Sequence, residues 1–313
     1  MISPKEHKDV ALIVGPTASG KSALALELAK RQVPLGRKAV IINADSAQVY
    51  ADLQILSARP ADFEMEGIPH RLYGYIDGAE ACSAARWADD AKREIAEAHE
   101  RDELPILVGG TGLYVRTLLD GIAPIPEIDL LTRTTIRDMP VGEAHAALEK
   151  EDSVAAQRLH PADRTRIMRA LEVVRSTGYP LDHWHQNKAG GIASEIDLHP
   201  LVLLPPREWI YQRCDQRFDY MIKLGARAEV KALLARDLPD DCPVMRAIGV
   251  KEISSWICGD SSLEYAKAAA RMATRQYAKR QYTWFRNQCD PHWPRWDETI
   301  NNQNMDHIVS LLQ

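Results

Sequence analysis

Gly15-Pro16-Thr17-Ala18-Ser19-Gly20-Lys21-Ser22 decides how this chain folds. It satisfies G-x-x-x-x-G-K-[ST] in full. Upstream, Val10-Ala11-Leu12-Ile13-Val14 is a short apolar run that reads as a buried strand. Downstream, Ser22-Ala23-Leu24-Ala25-Leu26-Glu27-Leu28-Ala29 reads as a helix. A loop between strand and helix is what this motif's mechanism needs. Its glycines let backbone N–H groups close on phosphate oxygens, and the helix N-terminus adds partial positive charge. Lys21 adds a full charge, and the Ser22 hydroxyl is placed to hold Mg²⁺.

Outward from the loop, strand and helix patterns alternate. Ala39–Ile42 is a second strand, ending at Asn43-Ala44-Asp45-Ser46, and Arg71–Ile76 reads as a third. Ser83–Arg101 reads as a helix with Ser83 as its N-cap. Pro105–Val108 is another buried strand, running into Gly109-Gly110-Thr111-Gly112, and a helix follows over Leu113–Leu119. Such alternation marks a parallel sheet covered on both faces. From Pro124 to His199 the text turns richer in charge and proline, with helical patches over Val141–Lys150, Ser153–Leu159 and Arg164–Ser176. Leu201–Leu204 returns to buried-strand character, and helices are expected over Arg207–Ala235, Met245–Cys258 and Leu263–Asn287. The expected fold is α/β: a P-loop parallel-sheet core with helices on both faces, plus an all-helical insertion. Residues 1–123 and 200–313 build the core, and 124–199 the insertion.

Composition narrows the function classes. A net charge of −5 and a pI near 6.1 give no global nucleic-acid signal, so any such surface must come from local clustering. Cys82, Cys214, Cys242, Cys258 and Cys289 are dispersed with no Cys-x-x-Cys pair, which fits reduced thiols rather than a zinc ribbon. The stretch Met1–Asp9 is polar and lacks an apolar signal core, and no apolar run approaches membrane-spanning length. A cytoplasmic protein without a membrane partner is expected.

Several residues are placed for chemistry. Asp45 ends the second strand, and in open parallel sheets ligands bind outside the carboxyl ends of strands. It suits a general base, a Mg²⁺ ligand through water, or a turn cap. No Asp follows Leu107-Val108, where an ordinary ATPase would hold Mg²⁺. Lys267, Arg271, Arg275 and Lys279 recur every four residues, extended by Arg280 and Arg286, with Tyr277, Tyr282, Trp284 and Phe285 interleaved. A basic helical stripe with aromatics is the local footprint of nucleic-acid binding, and a solvated face is the alternative. Arg164, Arg166, Arg169 and Arg175 form a second cluster, diluted by Asp163 and Glu172. Arg246 and Lys251 flank a glycine-containing turn suited to clamping a diphosphate or a backbone phosphate.

Taken together these texts resemble the tRNA dimethylallyltransferase (tRNA isopentenyltransferase) family. The matching segments are the phosphate loop, Asp45-Ser46-Ala47-Gln48-Val49-Tyr50, Pro69-His70-Arg71-Leu72, Gly109-Gly110-Thr111-Gly112-Leu113-Tyr114, Arg169-Ala170-Leu171-Glu172-Val173, Ala247-Ile248-Gly249 and Thr274-Arg275-Gln276-Tyr277-Ala278-Lys279-Arg280-Gln281. They fall in the family's order. Val250 departs from it, standing where relatives commonly carry Tyr.

The resemblance implies transfer of a dimethylallyl group from dimethylallyl diphosphate to N6 of the adenosine immediately 3′ of the anticodon, in tRNAs reading codons that begin with U. Diphosphate is released and ATP is not hydrolysed. It implies catalytic roles for Asp45, Thr111 and Lys21. The diphosphate falls to Gly15, Pro16, Thr17, Ala18, Ser19, Gly20, Lys21, Ser22 and Arg246, with Mg²⁺ at Ser22. The tRNA anticodon stem-loop falls to Asp45, Ser46, Ala47, Gln48, Thr111, Arg133, Thr165, Arg166, Ile167, Met168, Arg169, Arg246, Ala247, Ile248, Gly249, Val250 and Lys251. The same list continues through Lys279, Arg280, Gln281, Tyr282, Thr283, Trp284, Phe285 and Arg286. The insertion is expected to grip the anticodon stem, and the enzyme to act as a monomer.

Overall fold

The computed structural model describes residues 8–312. Most of the polar stretch Met1–Asp9 therefore lies outside the described residues. Six strands form one parallel sheet: β1 (Asp9–Val14), β2 (Lys38–Asn43), β3 (His70–Arg71), β4 (Glu103–Gly109), β5 (Asp197–Leu203) and β6 (Arg295–Trp296), in the order β3-β2-β4-β1-β5-β6. The apolar runs seen in the sequence are its centre, and Val10–Val14 and Leu201–Leu203 are fully buried. Register sets the site. Val14 lies beside Gly109 and Val202, and Asn43 beside Val108. The phosphate loop, the Asp45 turn and the Gly109–Gly112 loop thus leave the same edge of the sheet.

Helices α1 (Lys21–Gln32), α2 (Ala84–Glu100) and α3 (Gly112–Asp120) follow three of the strands. Leu24, Ala25, Leu28 and Ala29 share one face of α1 and pack on Ala11, Ile13 and Ile41. Each of the two leucines contributes about 1.5–3 kcal/mol by leaving water. Ser83 caps α2 as expected, its Oγ accepting the Arg86 N–H at 3.1 Å. Trp87 of α2 is fully buried, stacks on Tyr114 of α3 and donates its indole N–H to the Asn43 carbonyl at 2.8 Å. That bond pins the backbone two residues before Asp45.

Contacts divide the chain into two compact units, residues 119–191 and the remainder. The 119–191 unit holds α4 (Leu130–Asp138), α5 (Val141–Glu151), α6 (Ser153–Arg158), α7 (Arg164–Thr177) and α8 (Leu181–His185) around Ile136, Leu148, Ile167 and Leu171. Near its ends Ile122 and Ala189 exchange two backbone hydrogen bonds of 3.0 Å. Glu172 is buried in it and paired with Arg137 at 3.1 Å and Arg169 at 3.6 Å. The chain re-enters the sheet at Asp197, four residues before the expected strand, so the range read as insertion runs into β5.

The last helices are α9 (Arg207–Leu224), α10 (Ala226–Leu234), α11 (Val250–Cys258), α12 (Leu263–Gln288) and α13 (Met305–Ser310). The single helix expected over Arg207–Ala235 breaks at Gly225, whose φ of 107° leaves the helical region. The helix expected from Met245 begins only at Val250, after a short 3₁₀ turn over Pro243–Arg246. The third strand expected over Arg71–Ile76 is only His70–Arg71, because Leu72 and Gly74 take positive φ and turn the chain out of the ladder. Among the described residues no helix is long and apolar enough to cross a membrane.

Candidate active site

The phosphate loop is braced from three sides. Gly20 takes φ 98° at the head of α1, a conformation costly for other residues. Lys21 is buried and donates from Nζ to the Pro16 carbonyl at 2.7 Å. Loss of hydration pushes its ammonium down to about 8, opposed by the Asp45 carboxylate and aided by the Arg217 guanidinium. From α9, Arg217 donates to the Thr17 hydroxyl and Arg213 to the Ala18 carbonyl at 3.0 Å. Burial lowers the affinity of the Arg217 guanidinium for its proton, with the Asp45 charge opposing. From α12, Gln281 accepts the Thr17 N–H at 2.8 Å and donates to the Gly110 carbonyl at 2.8 Å.

Gln281 was expected to face RNA. It is instead a buried tie between the loops that follow β1 and β4. Replacing it by leucine strands the buried Gly110 carbonyl, at about 1–3 kcal/mol, and releases the half-buried Thr17 N–H to water. Gln281→Leu is therefore expected to shift the urea midpoint downward at constant slope, and an unmoved midpoint would remove the tie from the account.

Asp45 sits on a turn organised by its neighbours. Its N–H donates to Asn43 Oδ1 at 2.9 Å, and its Oδ1 accepts the Ala47 N–H at 3.0 Å. Thr111 Oγ1 accepts the Ser46 N–H at 2.9 Å and donates to Ser46 Oγ at 3.1 Å. Thr111 thus holds the Asp45–Ser46 turn against the β4 loop. A methyl group added to Gly110 would fall 2.2 Å from Gln281 Nε2 and 3.1 Å from Asp45 Oδ2, so only glycine fits between these two side chains. The Tyr277 phenol is raised well above its usual range by burial and by the Asp45 charge, while hydrogen bonding with Thr111 and Gln281 holds it down.

One cavity of about 400 Å³ joins Thr17 of the loop, Arg217, Tyr277 and Asp45. Thr17, Asp45, Ser46 and Arg217 line its polar side, and Leu56, Phe218, Met221, Pro243 and Ile248 its apolar side. Arg246 and Arg280, both exposed, also border it. The chamber suits a ligand with an anionic head and a short hydrocarbon body. Among the described residues no three His, Cys, Asp or Glu are grouped to hold a metal. Mg²⁺ commonly takes one or two protein oxygens with water and substrate phosphate. The exposed Ser22 hydroxyl, at the head of α1, fits that pattern.

The basic stripe divides in two. Arg275 pairs with Asp215 at 2.7 Å, Lys267 with Asp219 at 3.5 Å, and Arg271 also with Asp219, so carboxylates of α9 neutralise its first half. Among the described residues Lys279, Arg280 and Arg286 make no ion pair, and all three are exposed. Of the other expected RNA contacts on α12, Phe285 is fully buried, Tyr282 donates to the Leu204 carbonyl at 3.1 Å, and Trp284 packs on Gly112 under Arg116. Phe285 is thus a core group, while Tyr282 and Trp284 are half-buried. Thr283 alone joins the three cations on the exposed face. Ile167 and Met168 are likewise buried in α7, while Thr165 and Arg166 are exposed there. Val250 is buried at the start of α11, with Lys251 exposed beside it.

Comparison with known proteins places the chain. The family model described as IPP transferase matches residues 48–288. The chain belongs to the IPP transferase family. A tRNA dimethylallyltransferase of Erythrobacter litoralis is 60% identical over 290 residues, covering 93% of this chain and 92% of that protein. A solved tRNA isopentenylpyrophosphate transferase from Bacillus halodurans superposes with a TM-score of 0.69 at 33% identity, covering 97% of this chain and 95% of its own. A eukaryotic dimethylallyltransferase described as acting on tRNA gives 0.74 at 29% identity, covering 88% and 69%. Within this IPP transferase family member, the sequence reading missed Arg213 and Arg217. Their only signal was a four-residue spacing on a helix two hundred residues from the loop they touch.

Proposed function

We infer that the chain transfers a dimethylallyl group from dimethylallyl diphosphate to N6 of the adenosine immediately 3′ of the anticodon in tRNAs that read codons beginning with U. The cavity carries this reading, because it links the cationic loop side, Thr17 and Arg217, to the Asp45 carboxylate beside an apolar wall.

The chemistry follows from the charges. Nitrogen N6 attacks C1 of the donor, the C1–O bond breaks, and its electron pair leaves on diphosphate. Lys21, Arg217 and the loop N–H groups meet the negative charge that grows there. Mg²⁺ held at Ser22 supplies further charge when bound. The N6 proton becomes acidic as the bond forms, and Asp45 accepts it. Thr111 acts through Ser46 by fixing the turn that carries Asp45. An adenine must leave its stack to reach this depth, at about a few kcal/mol.

Phosphate contacts recover that cost. The exposed cations Arg246, Lys251, Lys279, Arg280 and Arg286 supply them, joined by Arg133, Thr165, Arg166 and Arg169 of the helical unit. A monomer in the cytoplasm suits this role. Arg280→Ala is expected to flatten the salt dependence of tRNA affinity by about 0.7–0.9 log units per decade, the loss of one phosphate contact. An unchanged slope would take Arg280 out of the interface. The reaction itself is tested with labelled dimethylallyl diphosphate and total tRNA without ATP. Label should enter RNA, and label remaining in the donor would overturn the assignment.

A further inference from the structure

Beyond the reaction, part of the cavity's apolar lining is held in place by a built turn. Leu56 lines it together with Phe218. A carbon added to Gly249 would fall 2.9 Å from Leu56 Cδ2 and 3.4 Å from Phe218 Cε2, so Leu56 packs against the Gly249 backbone with the Phe218 ring close by. On that side glycine leaves Leu56 its place, and a larger residue at 249 would push it.

The turn that carries Leu56 is fixed from two directions. Glu229 of α10 accepts the N–H groups of Gln54 at 2.6 Å, Ile55 at 2.8 Å and Leu56 at 2.9 Å. One carboxylate holding three successive amides makes a strong, charge-assisted anchor. From the other side, Gln48 Nε2 donates to the carbonyls of Ser57 at 3.0 Å and Ala58 at 2.8 Å. Gln48 lies three residues beyond Asp45, so the wall is tied to the turn that carries the base.

We propose that Leu56 sets the length of hydrocarbon chain accepted on the donor, and that Glu229 is a positioning residue that holds Leu56 at that depth. This rests on reading the cavity as the donor site. The diphosphate is gripped at Thr17 and Arg217, so the distance to Leu56 acts as a ruler. A donor longer than five carbons meets the isobutyl group, which rests on the Gly249 backbone.

The test compares kcat/KM for dimethylallyl diphosphate and for 3-methylhex-2-enyl diphosphate, which is two carbons longer. A pocket without room discriminates by about 10–200-fold per methylene. Leu56→Ala should reduce the ratio by at least about tenfold, the value of one such group, with Leu56→Val in between. Glu229→Ala should reduce it in the same direction and Glu229→Gln less, since an amide oxygen still accepts an N–H. A purely structural Glu229 would lower the melting temperature and slow both donors alike. A wild-type ratio in folded Leu56→Ala and Leu56→Val would overturn the ruler. A wild-type ratio in Glu229→Ala would overturn the positioning role. If the wild-type enzyme transfers no dimethylallyl group at all, the reading of the site fails and takes this inference with it.

Discussion

Asp45→Ala is expected to bind tRNA as the parent does and to transfer almost nothing. General-base catalysis contributes about 10²–10⁴ in rate, and that is the expected loss in single-turnover measurements. The alanine change also deletes the acceptor for the Ala47 N–H, so a loosened turn could imitate a missing base. Asp45→Asn separates the two. Its side-chain oxygen still accepts that N–H but takes no proton at neutral pH. If the Asn variant is as slow as the Ala variant, the base is the cause. If it turns over at the parental rate, Asp45 is a turn residue only.

Lys21→Ala should act on the other reactant. Removing one preorganised charge from a leaving group typically costs about 10²–10³ in kcat. The KM for the donor should rise as well, and tRNA affinity should hold; equal losses for both substrates would count against the assignment. The same residue sets a pH limb. Its ammonium is depressed to about 8 by burial, so the free enzyme keeps the charge below that pH and loses it above. The kcat/KM for the donor should fall as pH rises through about 8. The limb in kcat should lie higher, because bound diphosphate favours the charged form. In Lys21→Ala the limb should vanish.

The sequence was legible where chemistry is local. The phosphate loop, the strands Val10–Val14 and Pro105–Val108, and the Ser83 cap depend on near neighbours, and each stands where its text placed it. Asp45 was legible because a strand end implies a position at the sheet edge. Failures came where a side chain's partner is distant in sequence. Arg217 reaches Thr17 only because β5 lies beside β1, a pairing that no spacing reveals. Lys267, Arg271 and Arg275 looked like a free basic face because their partners Asp219 and Asp215 stand 48 to 60 residues away. Gln281 and Phe285 were placed with the exposed cations because they share a motif, although a helix turns such neighbours to opposite sides.

The paired exits of the helical unit bear on how such a chain can vary. Leu118 of α3 and Ile192 are joined by a backbone hydrogen bond of 3.0 Å, so the ends of the excursion are tied together. The entropy of closing an excursion grows only logarithmically with its length. The sheet and its cavity are therefore nearly indifferent to how much polypeptide is carried between those two residues. The length of that excursion can therefore change at little cost to the chamber, about 0.6 kcal/mol for each doubling.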